Sequence, residues 1–305
     1  MHAVTLGCVW LFRRNRMTPP LVRSFHHAAT GTWTHVVVDT ATRRAAVIDP
    51  VLDFDPASGH IGSASAQRIL EYLATTSLAV DWILETHAHA DHLSAGAWLR
   101  ERTQAKLAIG AGIVEVQRTF KRLLDLDDGF VADGTQFDRL FADGDRFQIG
   151  TLDARVIATP GHTPDSISYL IGDAVFVGDT LFAPHAGSAR CDFPGGDAAT
   201  LYHSIRTLYE LDAATRVFLC HDYPAADEAP LGETRIADEM ATNTHLQTAT
   251  SEADFVALRT QRDTTLDVPK LLWPALQFNV RGGRLPAGEA GGVVYLKLPV
   301  AFNEN

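Results

Sequence analysis

Short apolar runs, each stopped by a polar or glycine-containing turn, recur along most of this chain, with helical spacings between them. His35 to Val38 and Ala45 to Ile48 read as strands, the latter ending at Asp49-Pro50. Val80 to Leu84 (VDWIL) reads as a buried parallel strand, which needs cover on both faces. Ala154 to Ala158, Ala174 to Val177 and Val217 to Leu219 repeat the pattern. Ser65 to Thr75, with Ile69, Leu70 and Leu73 at helical spacing, and Ala95 to Glu101 read as structural helices. Val114 to Leu126 reads as a helix whose solvated face carries Arg118, Lys121 and Arg122. Val51 to Gly62 reads as a polar loop bordering the active site. Later in the chain, Leu201 to Ile205 is a helical run, and Glu233 to Thr248 and Glu252 to Asp263 read as amphipathic helices. Val268 to Leu276, with Pro269 and Pro274, reads as an extended connector, and Gly292 to Pro299 as a late edge strand. Periodicity alone gives an α/β chain.

Four of these strand ends carry metal-binding side chains. After Val80 to Leu84 comes Thr86-His87-Ala88-His89-Ala90-Asp91-His92. Imidazole and carboxylate together suit zinc, iron or manganese, whereas a structural zinc site normally recruits cysteine thiolates. A Pro160-Gly161 turn then delivers His162, Gly178 precedes Asp179 and permits close backbone approach, and His221 follows the last strand. A lone histidine after a turn is a weak signal, and an aspartate after a strand is often only a turn former. Four strand ends offering ligands are hard to explain as separate accidents, and open α/β sheets place their chemistry at such ends.

These motifs, His-x-His-x-Asp-His, His162, Gly178-Asp179 and His221, resemble the metallo-β-lactamase superfamily over roughly Thr32 to Tyr223. The stretch Ala189-Arg190-Cys191-Asp192-Phe193-Pro194-Gly195-Gly196-Asp197, the helical run after it and the tail Leu276 to Gly283 resemble its persulfide dioxygenase branch, close to glyoxalase II. The resemblance implies an αβ/βα sandwich. It also implies a single iron(II) held by His87, His162 and Asp179, with His89, Asp91, His92 and His221 orienting ligands and water. The activity implied is oxidation of glutathione persulfide by O2 to sulfite and glutathione. Arg190, Tyr223 and Arg281 are the implied contacts for the glutathione part and the reacting sulfur. The lesser reading of Arg190 and Tyr223 is as structural bridges, and Arg281 reads equally simply as an exposed arginine in a Gly-rich turn.

In the glyoxalase II arrangement, zinc or mixed metals would occupy two positions: His87, His89 and His162 for one, Asp91, His92 and His221 for the other, with Asp179 between. That alternative predicts thioester hydrolysis by a metal-activated water. A β-lactamase fits the Arg-x-Asp-Phe segment less well. A metal-binding sensor that kept the fold without turnover is the non-enzymatic alternative, and His162→Ala would then cost no activity.

Composition changes the picture little. A 305-residue chain, 46% hydrophobic, can bury one large core, and its formal net charge of -11 argues against a nucleic-acid partner. No apolar run approaches the roughly 20 residues that span a bilayer. Cys8, Cys191 and Cys220 suggest no disulfide framework, and a reducing compartment is the default expectation. Cys191 reads as a small buried hydrophobe or as a redox-sensitive thiol. Residues 1–20 read as an N-terminal extension, with Met17 a candidate initiator, and residues 21–305 as one domain with a C-terminal cover from about residue 224. The expected setting is cytoplasmic, or an organellar matrix if the Arg-bearing start is a transit segment. Homodimerisation is in keeping with the resemblance.

Overall fold

The computed structural model describes residues 19–222, 224, 228–288 and 292–300. Two six-stranded sheets face each other. The first runs, in spatial order, Leu21–His27, Thr32–Asp39, Arg44–Ile48, Ala79–Leu84, Lys106–Gly110 and Arg139–Phe141. The second runs Arg146–Ile149, Leu152–Ala158, Ile167–Ile171, Ala174–Phe176, Arg216–Phe218 and Glu233–Arg235.

The two-residue period of a strand explains the layers. Val37, Ala46, Ile48 and Leu84 of the first sheet meet Val156, Tyr169, Phe176 and Phe218 of the second in one buried core between the sheets. Their neighbours Val36, Val38, Ala45, Val47 and Ile83 point outward, onto the helices Ala64–Thr75, Gly96–Thr103 and Ile113–Leu123. On the far side Val175, Val177, Val217 and Leu219 point outward onto Leu201, Ile205 and Phe255 of the helices Ala198–Leu208 and Glu252–Asp263. Helix, sheet, sheet, helix is the expected αβ/βα sandwich, and strands covered on both faces are why the runs read as nearly continuous apolar segments.

Four expectations need correction. Val51 to Gly62 is not a loop: Val51–Asp55 and His60–Gly62 pair as an antiparallel hairpin, and Val51–Asp55 also pairs with Leu93–Ser94 beside the histidine motif. Glu233 to Thr248 is not one helix. Glu233–Arg235 closes the second sheet against Arg216–Phe218, and the helix Ile236–Thr242 stops at Asn243, whose side chain accepts from the His245 and Leu246 N–H groups. Val268 to Leu276 is not extended throughout, because a helix spans Leu272–Asn279. Pro274 sits in its first turn, where a missing N–H costs nothing. Gly292 to Pro299 forms no strand, although it alternates: Gln277 replaces a partner strand, donating to the Lys297 carbonyl and accepting from its N–H at 2.8 Å each. Residues 1–18, most of the expected N-terminal extension, lie outside the described residues.

Candidate metal centre

The loops that follow Ala79–Leu84, Leu152–Ala158, Ala174–Phe176 and Arg216–Phe218 meet at one edge of the sandwich. Cross-links between the sheets set their spacing. The Ile167 N–H donates to the Thr86 carbonyl at 3.0 Å, the Tyr169 hydroxyl donates to the Glu85 carbonyl at 2.9 Å, and the Ala88 N–H donates to Asp165 at 2.8 Å. Gly178, at φ +52°, brings its backbone so close to Thr86 that a Cβ would sit 2.5 Å from the Thr86 hydroxyl oxygen. The turn before His162 is equally tight, since a Cβ on Gly161 would lie 2.4 Å from the Leu201 nitrogen.

The result is a buried cluster. Asp179 stands between two groups of imidazoles. Its Oδ2 lies 3.9 Å from His87 Nε2 and 3.7 Å from His162 Nε2, and its Oδ1 lies 3.3 Å from His221 Nε2. His221 Nε2 is also 3.2 Å from Asp91 Oδ2, and Asp91 Oδ1 is 3.4 Å from His92 Nδ1. The ligand atoms of His87, His162 and Asp179 fall within 4.8 Å of one another, as do those of His89, Asp91, His92 and His221.

Three of the histidines are pinned from behind. The Thr86 hydroxyl donates to Asp49 at 2.9 Å, so at 3.2 Å it accepts from His87 Nδ1–H and leaves Nε2 bare. His162 Nδ1–H donates to the Arg190 carbonyl at 2.7 Å, again freeing Nε2. His89 does the reverse, donating Nε2–H to Asp49 at 3.0 Å and leaving Nδ1 bare. His87 Nε2, His89 Nδ1, His92 Nε2 and Asp179 Oδ1 are buried and make no hydrogen bond. A buried polar atom left unpaired costs about 1–3 kcal/mol, so several aimed at one small volume fit a metal ion.

The electrostatics agree. Burial, with neighbouring imidazoles, holds His87 and His89 well below the ordinary histidine range, keeping them neutral and able to donate. Burial raises Asp179, against the pull of His221 and His162. Asp91 is partly buried, which would raise it, but His221 and His92 outweigh that and hold it well below the carboxylate range.

Beside the cluster opens a cavity of about 770 Å³. Asp91, His162 and Asp179 form its floor, Phe54, Phe182 and Phe193 its apolar walls, and Arg190, Arg262 and Lys270 its basic side. The hairpin that was expected to be a loop does border the site, through Phe54 and Pro56. Arg190 lines the cavity, yet Nε and one terminal nitrogen donate to Asp192 at 2.6 and 2.7 Å, and the other donates to the Asp267 carbonyl at 2.7 Å. Its guanidinium therefore bridges two chain segments. Arg281 is not brought to the cavity: it is buried, donates to the Gln277 carbonyl and packs 4.6 Å over the Phe130 ring. Tyr223 lies outside the described residues. Burial and the nearby Asp263 charge push the Cys191 thiol up to about 12, so it stays neutral.

Sequence reasoning passed over Asp49, which serves both Thr86 and His89, and Asn279, whose amide donates at 2.8 Å to the carbonyls of both His89 and His92. Asp49 had one signal, its place at the end of a strand on the same sheet edge as the motifs.

Paired sheets between helix layers, with histidine and aspartate donors converging at the sheet ends, define a metal-dependent enzyme fold. The chain belongs to the metallo-beta-lactamase superfamily, whose family profile matches residues 29–221. It is 45% identical over 289 residues to a probable metallo-hydrolase of Burkholderia pseudomallei (strain 1710b), a match covering 92% of this chain and 98% of that one. It is 30% identical over 220 residues to the mitochondrial persulfide dioxygenase ETHE1 of Bos taurus, covering 71% of this chain and 74% of the relative. The crystal structure of ETHE1 from Myxococcus xanthus superposes with a TM-score of 0.70 at 33% identity, over 87% of this chain and all of that one.

Proposed function

We propose that the protein is a non-haem iron(II) persulfide dioxygenase. It takes glutathione persulfide, O2 and water to glutathione, sulfite and two protons. One observation carries this reading: two imidazole Nε2 atoms and one carboxylate, from His87, His162 and Asp179, converge beside an open cavity with a basic side. Two histidines and a carboxylate leave positions open for both substrate and dioxygen, as in non-haem iron(II) oxygenases. Likeness to the bovine dioxygenase and to the Myxococcus structure supports it.

When bound, the iron supplies the one-electron chemistry that dioxygen needs to react with sulfur. The chain supplies everything else. The Thr86 hydroxyl and the Arg190 carbonyl hold the Nδ1 protons of His87 and His162, so both rings keep the tautomer that can ligate. Phe54, Phe182 and Phe193 shield the reacting sulfur from water. Arg262 and Lys270, both exposed at the cavity, match the two carboxylates of a glutathione chain.

A second reading has its own observation. His89 Nδ1 and His92 Nε2 are buried and unpartnered like His87 Nε2, and Asp179 turns one oxygen to each imidazole group. That favours a dinuclear thioester hydrolase, in keeping with the hydrolase name of the Burkholderia relative. The separating experiment measures oxygen uptake on adding glutathione persulfide to protein reconstituted anaerobically with ferrous iron, beside a zinc-loaded sample. Iron-dependent uptake with sulfite formation is expected. No uptake from iron-replete protein, with thioester turnover by the zinc form, would overturn the first reading in favour of the second.

A further inference from the structure

The cavity wall Ser188 to Arg190, with Gly187 and Cys191 on either side of it, forms no helix or strand, yet five backbone groups of this stretch are held by side chains. Asn243 Nδ2 donates to the Gly187 carbonyl at 3.1 Å. The Ser188 N–H donates to His245 Nδ1 at 2.9 Å, and the Ser188 carbonyl accepts from Arg259 at 2.9 Å. The Cys191 N–H donates to Asp263 Oδ2 at 2.9 Å. These partners come from the segment after the last metal-motif histidine, and the central two, Arg259 and Asp263, are one turn apart on the helix Glu252–Asp263.

Those two residues form an ion pair, with Arg259 Nε donating to Asp263 Oδ1 at 3.0 Å. Arg259 is only 1% exposed and Asp263 7%. A buried ion pair is expensive in desolvation and rarely repays that cost in stability alone. This one spans the loop instead, gripping it at Ser188 and at Cys191. Between the two grips lies Arg190, whose carbonyl takes the Nδ1 proton of His162. The helix therefore reaches the metal centre through one peptide group.

We propose that Arg259 and Asp263 are positioning residues for His162: they fix the register of residues 188–191 so that the Arg190 carbonyl selects the tautomer presenting Nε2. The proposal rests on the reading of His162 as a metal ligand. It assigns the C-terminal helix a part in the metal centre in addition to covering the cavity.

The test uses the full chain loaded with cobalt(II), read by proton NMR in the paramagnetically shifted region, where ring N–H protons of ligating histidines appear. His162→Gln assigns its signal. In Asp263→Ala the His162 N–H should exchange with solvent at least tenfold faster, while the His87 N–H, held by Thr86, keeps its rate. Asp263→Asn retains an acceptor for the Cys191 N–H and should restore the slow exchange. Should the alanine variant not fold, Arg259→Lys keeps the buried charge but not the two-pronged grip, and it should give the same selective change. Equal rates at His162 in all variants, or acceleration of both histidines together, would overturn the positioning role alone. Absence of any shifted imidazole N–H in the cobalt-loaded parent would overturn the ligand reading and this one with it.

Discussion

His89 and Asp49 lie 40 residues apart, yet the His89 ring donates to the Asp49 carboxylate at 3.0 Å. The same carboxylate takes the Thr86 N–H at 2.8 Å and the Thr86 hydroxyl at 2.9 Å. Through Thr86 it reaches His87, so one buried aspartate sets the tautomers of two adjacent histidines.

Asp49→Ala should therefore damage stability and metal uptake together. Four hydrogen bonds to a buried carboxylate are lost, one of them the weak donation from Cys220 Sγ at 3.7 Å, and removing one partner of a charged group costs about 1.5–3 kcal/mol. We expect a loss of at least about 3 kcal/mol in denaturant unfolding and a clear drop in metal content after desalting. A variant with full stability and full metal would refute the relay through Thr86.

Asp179→Asn removes the central anion while nearly preserving shape. Loss of an outer partner of a metal ligand already costs about 10–100-fold in affinity or activity, so loss of this ligand should cost at least about 100-fold in both. Metal analysis and rate, measured on one preparation, check it. Full occupancy with full activity would remove Asp179 from the ligand set.

Arg262→Glu and Lys270→Glu address substrate capture, since both side chains face the cavity without touching the cluster. Each should raise KM by roughly fivefold, the upper range for one exposed ion pair, and leave kcat nearly unchanged. The effect should shrink at high salt. A fall in kcat at constant KM would place these residues in a different role.

Glu239 gives the fold a pH dependence of its own. Burial raises its carboxyl from 4.5 to about 8, against the Asn243 amide that donates to it at 2.7 Å. The folded state holds this proton over an interval in which the unfolded chain releases it. The stabilisation is complete below 4.5 and is lost progressively as pH rises towards about 8. Glu239→Gln keeps an acceptor for Asn243 and should flatten that slope, making the variant more stable than the parent at pH 8. Parallel stability curves for the two proteins would show that Glu239 is ionised in the folded state.

The strand ends and the four motifs were legible because each is local: an apolar run, a tight turn, then a donor. Which face each strand residue takes was not legible, because runs apolar on both sides, as at Val36 and Val37 or Val217 and Phe218, have no polar alternation to mark it. Asp49 and Asn279 were not legible either, because their roles depend on neighbours brought close only by folding. Arg281 shows how one error caused another. Reading Pro274 as a break hid the helix Leu272–Asn279, and without that helix nothing indicated that Arg281 turns back onto Gln277 and Phe130.

The donors of the cluster come from both sheets: His87, His89, Asp91 and His92 follow a strand of the first, and His162, Asp179 and His221 follow strands of the second. An ion held among them is a rivet through the seam of the sandwich. Binding free energy is then shared with folding, so loading should raise the unfolding temperature and a chelator should lower it. Proteolysis of the stripped protein should begin where the two sheets part, at the end where the chemistry is done.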